Sequence, residues 1–311
     1  MGSEMCIRDR NKNEKLMTTE VANMIIEKID RILNDNIFEG INIHYFGGEP
    51  LLNIPVLIYL DENIKKITDK IGIVYKAFLT TNGSMLSKEL LQKVKFSSIQ
   101  LTFDGLEKTH DRLRVSDHFH FKEEIELIEN IMNFSQAKVL LRTNICKENK
   151  DEIIALHKYI FEKFGNERIE INPNRTIKYH QDDSFEMLSV QEYAEVAYQI
   201  KLLWSEQKGK FELPVPRSTP CKFPYGNAYA ISPEGYCTFC SGSMDQEKKY
   251  FFDVDIENKK MFSVRKECKK CNILPLCLGG CIIQYNLRAG ACTYEKYELK
   301  NILISYIKHI S

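Results

Sequence analysis

Eight of the ten cysteines in this 311-residue chain fall between positions 221 and 292. The densest run is Cys268-Lys-Lys-Cys271-Asn-Ile-Leu-Pro-Leu-Cys277-Leu-Gly-Gly-Cys281, with Cys292 beyond it and Cys221, Cys237 and Cys240 before it. As spacing, the run is C-x2-C-x5-C-x3-C-x10-C. Two tetrahedral sites of four thiolates would use all eight. Thiolate sulfur is a soft ligand that selects iron–sulfur clusters or zinc. A disulfide framework is the first rival, but it belongs to small secreted domains. This chain has no apolar signal segment and patterns as α/β through its first two hundred residues. Metal or cluster binding is therefore expected. C-x2-C pairs also build zinc ribbons, so spacing by itself leaves zinc open. Cys146 has no such neighbour and reads as a small buried hydrophobe. The seven histidines are scattered without an H-x-x-x-H pair, so histidine ligation is not expected.

A second set of chemically capable residues recurs along the first two hundred positions: Gly47-Gly48-Glu49-Pro50, Thr80-Thr81-Asn82-Gly83, Phe103-Asp104-Gly105 and Arg142-Thr143-Asn144. Two adjacent glycines let a backbone turn tightly and approach a ligand closely. The elements that would position these stretches follow from the patterning. Thr18 and Thr19 offer an N-cap to a helix whose apolar face is Val21, Met24, Ile25, Ile29, Ile32 and Leu33. Strands are predicted over 41–46, 73–79, 98–103, 138–142 and 168–172, and helices follow from Pro55, from Ser87, near 123–134, over 151–164 and near 190–206. Strands alternating with helices, roughly one unit per 25–40 residues, indicate parallel βαβ units. Each polar stretch then sits at the C-terminal end of a strand, the edge where such sheets place active sites.

Lys plus Arg and Asp plus Glu number 43 each, so no basic field is available to hold a nucleic-acid backbone. The longest apolar run, 51–60, is interrupted by Asn53 and Pro55 and is half a membrane span. Nucleic acid and membrane are not expected as partners, and the cytoplasm is the expected compartment. The first ten residues, with Cys6, have no periodicity and read as a non-native leader. Gly209 and the prolines at 214, 216 and 220 mark a linker. The expected division is a leader over 1–10, an α/β core over 11–211 and a cysteine-rich domain over 212–311. A last helix through Leu299, Leu303 and Ile307 is expected to pack its apolar face on that domain.

Tyr45-Phe46-Gly47-Gly48-Glu49-Pro50-Leu51-Leu52 resembles the motif by which radical S-adenosylmethionine (SAM) enzymes hold the methionine amino group of SAM. TTNG, the segment from Gln100 to Gly105 with His110-Asp111 and Arg114, and Arg142-Thr143-Asn144 match further segments in the same order. The cysteines resemble the SPASM auxiliary-cluster module: Cys221, Gly235 and Cys240 fit its first part, and Cys268, Cys271, Cys277, Cys281 and Cys292 the rest. The resemblance covers roughly residues 17–311. It implies a parallel (β/α) radical SAM barrel followed by a small cysteine-rich SPASM domain. It also implies SAM bound by Gly47, Gly48, Glu49, Pro50, Thr80, Asn82 and Thr102, with Arg142 and Asn144 meeting its carboxylate and ribose. Plainer alternatives stand beside these roles: Glu49 as a helix cap, Asp104 as an Asp-Gly turn former instead of a catalytic group, and Thr102, Arg142 and Asn144 as ordinary strand-end residues.

Such enzymes carry a C-x3-C-x2-C triplet after their first strand. Here only Cys6 precedes Leu16. The expectation is a partial barrel lacking its first strand and the SAM-cluster cysteines, hence an inactive fragment with an open sheet edge. The division of cysteines implied by the resemblance is interleaved. Cys268, Cys271, Cys277 and Cys292 hold an outer [4Fe-4S] cluster, and Cys281 joins Cys221 and Cys240 in an inner one. Cys237 is either a fourth inner ligand or a bystander. The implied activity is that of an oxidoreductase-type maturase that uses SAM and two auxiliary clusters. It would take electrons from a donor and install a thioether or carbon–carbon crosslink in a ribosomal peptide. Sulfatase-type protein maturation is second, because those enzymes place an acid after the second SPASM cysteine whereas Ser241 follows Cys240. A non-catalytic iron–sulfur or zinc protein that binds a peptide is the third reading.

Overall fold

The computed structural model describes residues 15–114, 116, 118–165, 168–177, 185–221, 228–238, 249–254, 264–281 and 292–310. The proposed leader over 1–10, Cys6, the stretch 180–183 and Cys240 lie outside the described residues.

One sheet carries five strands in the order β1 to β5: Gly40–Tyr45, Val74–Thr80, Phe96–Thr102, Lys138–Ile145 and Ile169–Arg175. β1 pairs with β2, β2 with β3 and β3 with β4, each in parallel. Parallel neighbours need a crossover, and helices supply it. Helix α1 (Thr19–Asp35) precedes β1, and α2 (Ile54–Ile71) joins it to β2. Helix α3 (Lys88–Lys93) leads to β3, α4 (Glu107–Leu113) and α5 (Phe121–Phe134) lead to β4, and α6 (Lys150–Phe164) leads to β5. Strand order equals chain order, so every crossover steps to the same side. That is the winding of a (β/α) barrel rather than of a doubly wound sheet. Among the described strands β1 is an edge, with Ile41 and Ile43 only half-buried. In the middle, Ile99, Leu101, Phe103, Val139 and Leu141 are fully buried.

The helix ends follow the sequence chemistry. Thr18 and Ser87 accept backbone N–H groups from Val21 and Leu90, both at 3.3 Å. Gly72 closes α2 in the left-handed region at φ 76°. Arg168 gathers the carbonyls of Ile131, Met132, Ser135 and Ala137 at 3.0–3.3 Å, so a guanidinium closes the C-terminus of α5.

Packing divides the chain into two compact units, each assembled from separated segments. The first holds residues 1–143, 166–172 and 229–255. Besides the strands above it contains an antiparallel sheet of β6 (Ala230–Ile231), β7 (Tyr236–Thr238) and β8 (Lys249–Tyr250). The 3-10 turn Phe251–Asp253 after β8 packs on α1, with Phe251 buried and Arg31 stacked over Phe252 at 4.9 Å. Helix α1 buries Ala22, Ile25, Ile29 and Leu33 against α2 and this turn, whereas Met24 is 42% exposed. The apolar face expected of α1 is thus rotated away from Met24. Strands of two or three residues are too short to show alternation, which is why the small sheet escaped the sequence patterning.

The second unit holds residues 144–165, 173–228 and 256–311. Helix α7 (Val190–Lys208) packs on α6 and on the last helix, α9 (Glu295–Ile310). The Trp204 indole N–H donates to Nδ1 of His157 at 3.0 Å, and burial pushes His157 down to about 3, so this imidazole is neutral. The expected apolar face of α9 is not the buried one: Leu303 and Ile307 are exposed. The covered face carries Glu295 and Glu298, paired with Arg217 at 2.8 Å and Lys201 at 2.6 Å. Tyr198 and Ser305 share a hydroxyl contact at 2.6 Å on the same side. Ion pairs available on α7 and the linker chose that face.

Candidate cofactor site and cysteine-rich module

Because the strands run in parallel, their C-terminal ends share one edge. Register places Tyr45 beside Leu79, Thr80 beside Gln100 and Thr102 beside Arg142. The loop after β1 turns at Gly47, whose φ of 153° favours glycine. A Cβ built at Gly47 or Gly48 would meet nothing within 4 Å, so open space lies against this backbone. That is the clearance a ligand needs to reach main-chain groups, and the loop fits the SAM-binding role implied by its sequence.

Glu49 resolves between its two expected roles. Its Oε1 accepts the Leu51 N–H at 3.0 Å, capping the 3-10 turn Pro50–Asn53, and the Thr81 hydroxyl at 2.7 Å. Its Oε2 accepts the Asn82 N–H at 2.7 Å. Both oxygens are therefore engaged, and the carboxylate clamps the loop after β1 to the loop after β2. Thr81 went unnoticed in the sequence although it sits inside TTNG; its hydroxyl also accepts the Gly83 N–H at 3.0 Å. Asn82 turns its side-chain oxygen onto Ser84 at 2.8–2.9 Å. The Thr80 hydroxyl and His44 Nε2 share a hydrogen bond at 2.8 Å. Gly83, at φ 86°, has no room for a Cβ, which would lie 2.5 Å from Leu127. We expect Glu49→Ala to lower stability by about 1.5–3 kcal/mol, the range for hydrogen bonds to a charged group. Urea denaturation reads this, and an unmoved midpoint would show that the clamp is not needed.

At the end of β3, Thr102 is buried and Asp104 fully so. Arg114 Nε donates to Asp104 Oδ2 at 2.9 Å. The Asp104 N–H faces His110 Nδ1 at 3.4 Å, which leaves the His110 Nε2–H to donate to Glu124 Oε2 at 3.1 Å. Burial raises Glu124, and its Oε1 has no hydrogen-bond partner among the described residues. Asp111 accepts the Phe121 N–H at 2.8 Å. Asp104 is therefore enclosed and ion-paired. The signal for its partners was present in the spacing: His110 and Arg114 stand six and ten residues on. Arg142 is half-buried on β4 and its carbonyl accepts the Phe103 N–H at 2.9 Å. Asn144, two residues further, is buried, and its carbonyl accepts from Asn149 at 2.9 Å.

In the second unit the cysteine run is a series of turns. Cys268 ends the 3-10 turn Lys266–Cys268, and its carbonyl accepts the Cys271 N–H at 3.0 Å. Helix α8 (Leu274–Cys277) follows, opened by Pro275. Leu278, Gly279 and Gly280 then lie consecutively in the left-handed region at φ 47°, 86° and 71°. This reversal costs about 1–2 kcal/mol at Leu278. It aims the Gly279 N–H at Cys277 Sγ, 3.4 Å away. Arg265 Nη2 lies 3.7 Å from Cys268 Sγ and donates to the Gly279 carbonyl at 2.5 Å. Lys296 Nζ is 3.9 Å from Cys292 Sγ. A Cβ at Gly280 would lie 2.4 Å from Thr293, so the chain beside Cys292 rests on this turn. Three cysteine sulfurs thus each face an N–H donor, and the soft donor set fits iron–sulfur clusters or zinc. Cys281 is exposed and Cys221 is half-buried. The backbone leading to Cys221 is tied to this run by the Arg217 N–H on the Pro275 carbonyl at 2.9 Å.

In the first unit, Cys237 is buried within β7, its thiol pushed up to about 11 by desolvation. Among the described residues no three His, Cys, Asp or Glu side chains are placed to share one metal ion. A single zinc ion would draw its sulfurs to roughly 3.8 Å from one another, given bonds of ~2.3 Å.

No protein-family model matches the chain. The radical SAM cyclopropyl synthase TigE of Paramaledivibacter caminithermalis is 23% identical over 329 aligned positions, covering 96% of this chain and 67% of that protein. Native anSMEcpe with bound AdoMet and a Kp18Cys peptide superposes with a TM-score of 0.66 at 17% identity, over 95% of this chain and 92% of that one. Streptococcus suis SuiB bound to S-adenosylmethionine gives 0.54 at 17% identity, over 84% and 66%. The fold is therefore that of these radical SAM proteins, and the chain adds a cysteine-rich C-terminal region. anSMEcpe also superposes as the complex with bound AdoMet and a Cp18Cys peptide, with a TM-score of 0.64 at 16% identity over 95% of this chain and 92% of that one.

Proposed function

We propose that this chain carries the SAM-binding core and auxiliary-cluster module of a radical SAM/SPASM maturase acting on a peptide. The observation that carries the reading is the open Gly47-Gly48 backbone, fixed by Glu49 to the TTNG loop at the C-terminal edge of a singly wound sheet. Support for a peptide substrate comes from anSMEcpe, solved with a peptide bound. Gly47 and Gly48 would hold SAM through main-chain groups, with Thr80, Asn82, Thr102, Arg142 and Asn144 around it. SAM supplies hydrogen-abstraction chemistry when a reduced cluster holds it. The protein's part is to position, to exclude water and to keep the strand-end loops in register. Asp104 and Arg114 would do the last of these at β3.

Within 212–311 we assign Cys268, Cys271, Cys277 and Cys292 to an outer [4Fe-4S] cluster, and Cys281, Cys221 and Cys240 to an inner one, with Cys237 as its optional fourth ligand. A thioether or carbon–carbon crosslink in a ribosomal peptide is the favoured modification. Electrons would come from a cytoplasmic low-potential donor. Among the described residues no helix is long and apolar enough to cross a membrane.

One sequence fact favours a second reading, a non-catalytic peptide-binding iron–sulfur protein: the 311 residues contain no C-x3-C-x2-C triplet. Metal content tests the common premise. Protein purified anaerobically after reconstitution with iron and sulfide is expected to be brown and to hold about eight irons, four per cubane. Colourless protein with stoichiometric zinc would overturn the maturase reading and leave the zinc form of the peptide-binding one.

A further inference from the structure

The outward face of α9 is sorted along the helix axis. Lys296, Lys300, Leu303 and Ile307 follow one another at steps of four, three and four, so they form one row. Tyr297 and Ile304 lie beside that row. All six are exposed, Ile307 by 58% and Leu303 and Ile304 by 41% each. The first two turns are thus basic and the next two aliphatic. Both glutamates of the helix face the other way, onto Arg217 and Lys201. Neither Lys300 nor Lys308 has an ion-pair partner among the described residues. The linker before the cysteines extends the surface. At the end of α9 the Phe211 ring lies 4.4 Å from the His309 ring, and at its start Arg217 pairs with Glu295 at 2.8 Å. Run out at about 3.3 Å per residue, 211–217 reaches ~20 Å, matching the ~21 Å from Glu295 to His309 at about 1.5 Å per helical residue. The linker therefore lies antiparallel beside the helix. Between the two ties Leu213 and Val215 are exposed, Val215 by 75%, and Pro214 and Pro216 stiffen the chain that presents them. Glu212 is neutralised by Lys210 at 2.7 Å.

We propose that this face docks an acidic amphipathic helix of another polypeptide, with carboxylates against Lys296 and Lys300 and aliphatic side chains against Leu303, Ile304 and Ile307. Charge complementarity selects the occupant. A second copy of this chain does not fit: antiparallel pairing would set Lys296 and Lys300 on the aliphatic half, burying charge without a partner. Parallel pairing would set lysine on lysine. A bilayer surface does not fit either. Helices that lie on membranes keep their aliphatic side chains central and their lysines at the margins, whereas Lys296 and Lys300 stand in the middle of this row. A partner helix sorted in the same way, acidic over two turns and aliphatic over two, satisfies both halves at once. The proposal is independent of the SAM and cluster assignments and holds under either reading of the function.

The probe is a fluorescein-labelled synthetic helix of 16 residues, the length of α9. One face carries glutamates over two turns and leucines over the next two. A second peptide has the two halves in reverse order, so that parallel and antiparallel docking are both covered, and each has a control with lysine in place of glutamate. Fluorescence anisotropy with the whole 311-residue protein is expected to show one acidic peptide binding about tenfold more tightly than its lysine control. Leu303→Ser and Ile307→Ser should each weaken it about tenfold, the loss of one buried aliphatic side chain. Lys300→Glu should weaken the acidic peptide and strengthen the lysine control, a reversal that loss of fold would not produce. Circular dichroism of each variant confirms its helix content, and Lys300→Glu carries the test if the serine variants unfold. Failure of both acidic peptides to outbind their lysine controls overturns the proposal, as does binding unmoved in Lys300→Glu and Ile307→Ser. Without that preference for the acidic peptide, flotation on vesicles of equal parts phosphatidylcholine and phosphatidylserine that Ile307→Ser abolishes would assign the face to a membrane instead. A dimer in sedimentation velocity that Ile307→Ser abolishes would assign it to a second copy.

Discussion

Incubated anaerobically with SAM and dithionite, the 311-residue polypeptide is expected to release no 5′-deoxyadenosine above background. The expectation comes from ligand chemistry. SAM cleavage of the radical type requires a cluster with one iron open to SAM and three held by a C-x3-C-x2-C triplet, and that spacing does not occur in these residues. If Gly47 and Gly48 hold SAM as proposed, SAM binding and SAM cleavage should separate. Chromatographic assay of 5′-deoxyadenosine, beside equilibrium dialysis with labelled SAM, measures the two. Turnover at an enzymatic rate would mean that the cysteines beyond residue 220 hold a SAM-cleaving cluster, and would overturn the division into auxiliary sites.

Substitution of single cysteines is expected to remove whole clusters, and in an interleaved pattern. Cys271→Ala should lower the iron content from about eight to about four and abolish one of two paramagnetic signals, because a cubane losing one of four thiolates in a small module is poorly retained. Cys292→Ala should abolish the same signal, although Cys281 stands between Cys277 and Cys292 in the sequence. Cys281→Ala should spare it and remove the other. The turn at Leu278-Gly279-Gly280 is the physical basis, since three consecutive left-handed residues reverse the chain between Cys277 and Cys281. Contact of Gly280 with Thr293 brings Cys292 to that turn. If Cys271→Ala and Cys281→Ala erase one signal together while Cys292→Ala leaves it, the cysteines divide in sequence order instead.

Much of this molecule is legible in its sequence because the signals are local. Thr18 and Ser87 cap the helices that their positions announce, since a hydroxyl three residues ahead of a free N–H needs no distant partner. The strands fall within a few residues of expectation, and the strand-end stretches lie at one edge because parallel winding leaves no other place for them. The cysteine spacing, likewise local, names the donor set.

Tertiary structure decided which of several chemically possible partners each side chain took. Glu49 could hold a ligand or cap a turn; its oxygens went to Leu51, Thr81 and Asn82, the last two more than thirty residues away. Asp104 could form a turn or face the site; the structure buries it against Arg114. Helix α9 has an apolar stripe, yet buries Glu295 and Glu298 because Arg217 and Lys201 stand opposite. The segment 229–255 lies among the cysteines in sequence and packs with α1 in the first unit. Sequence fixes the period, the caps and the ligand types, because these depend on neighbours along the chain. The choice of partner depends on what lies across space, and a buried polar group takes whichever donor or charge the fold brings within reach.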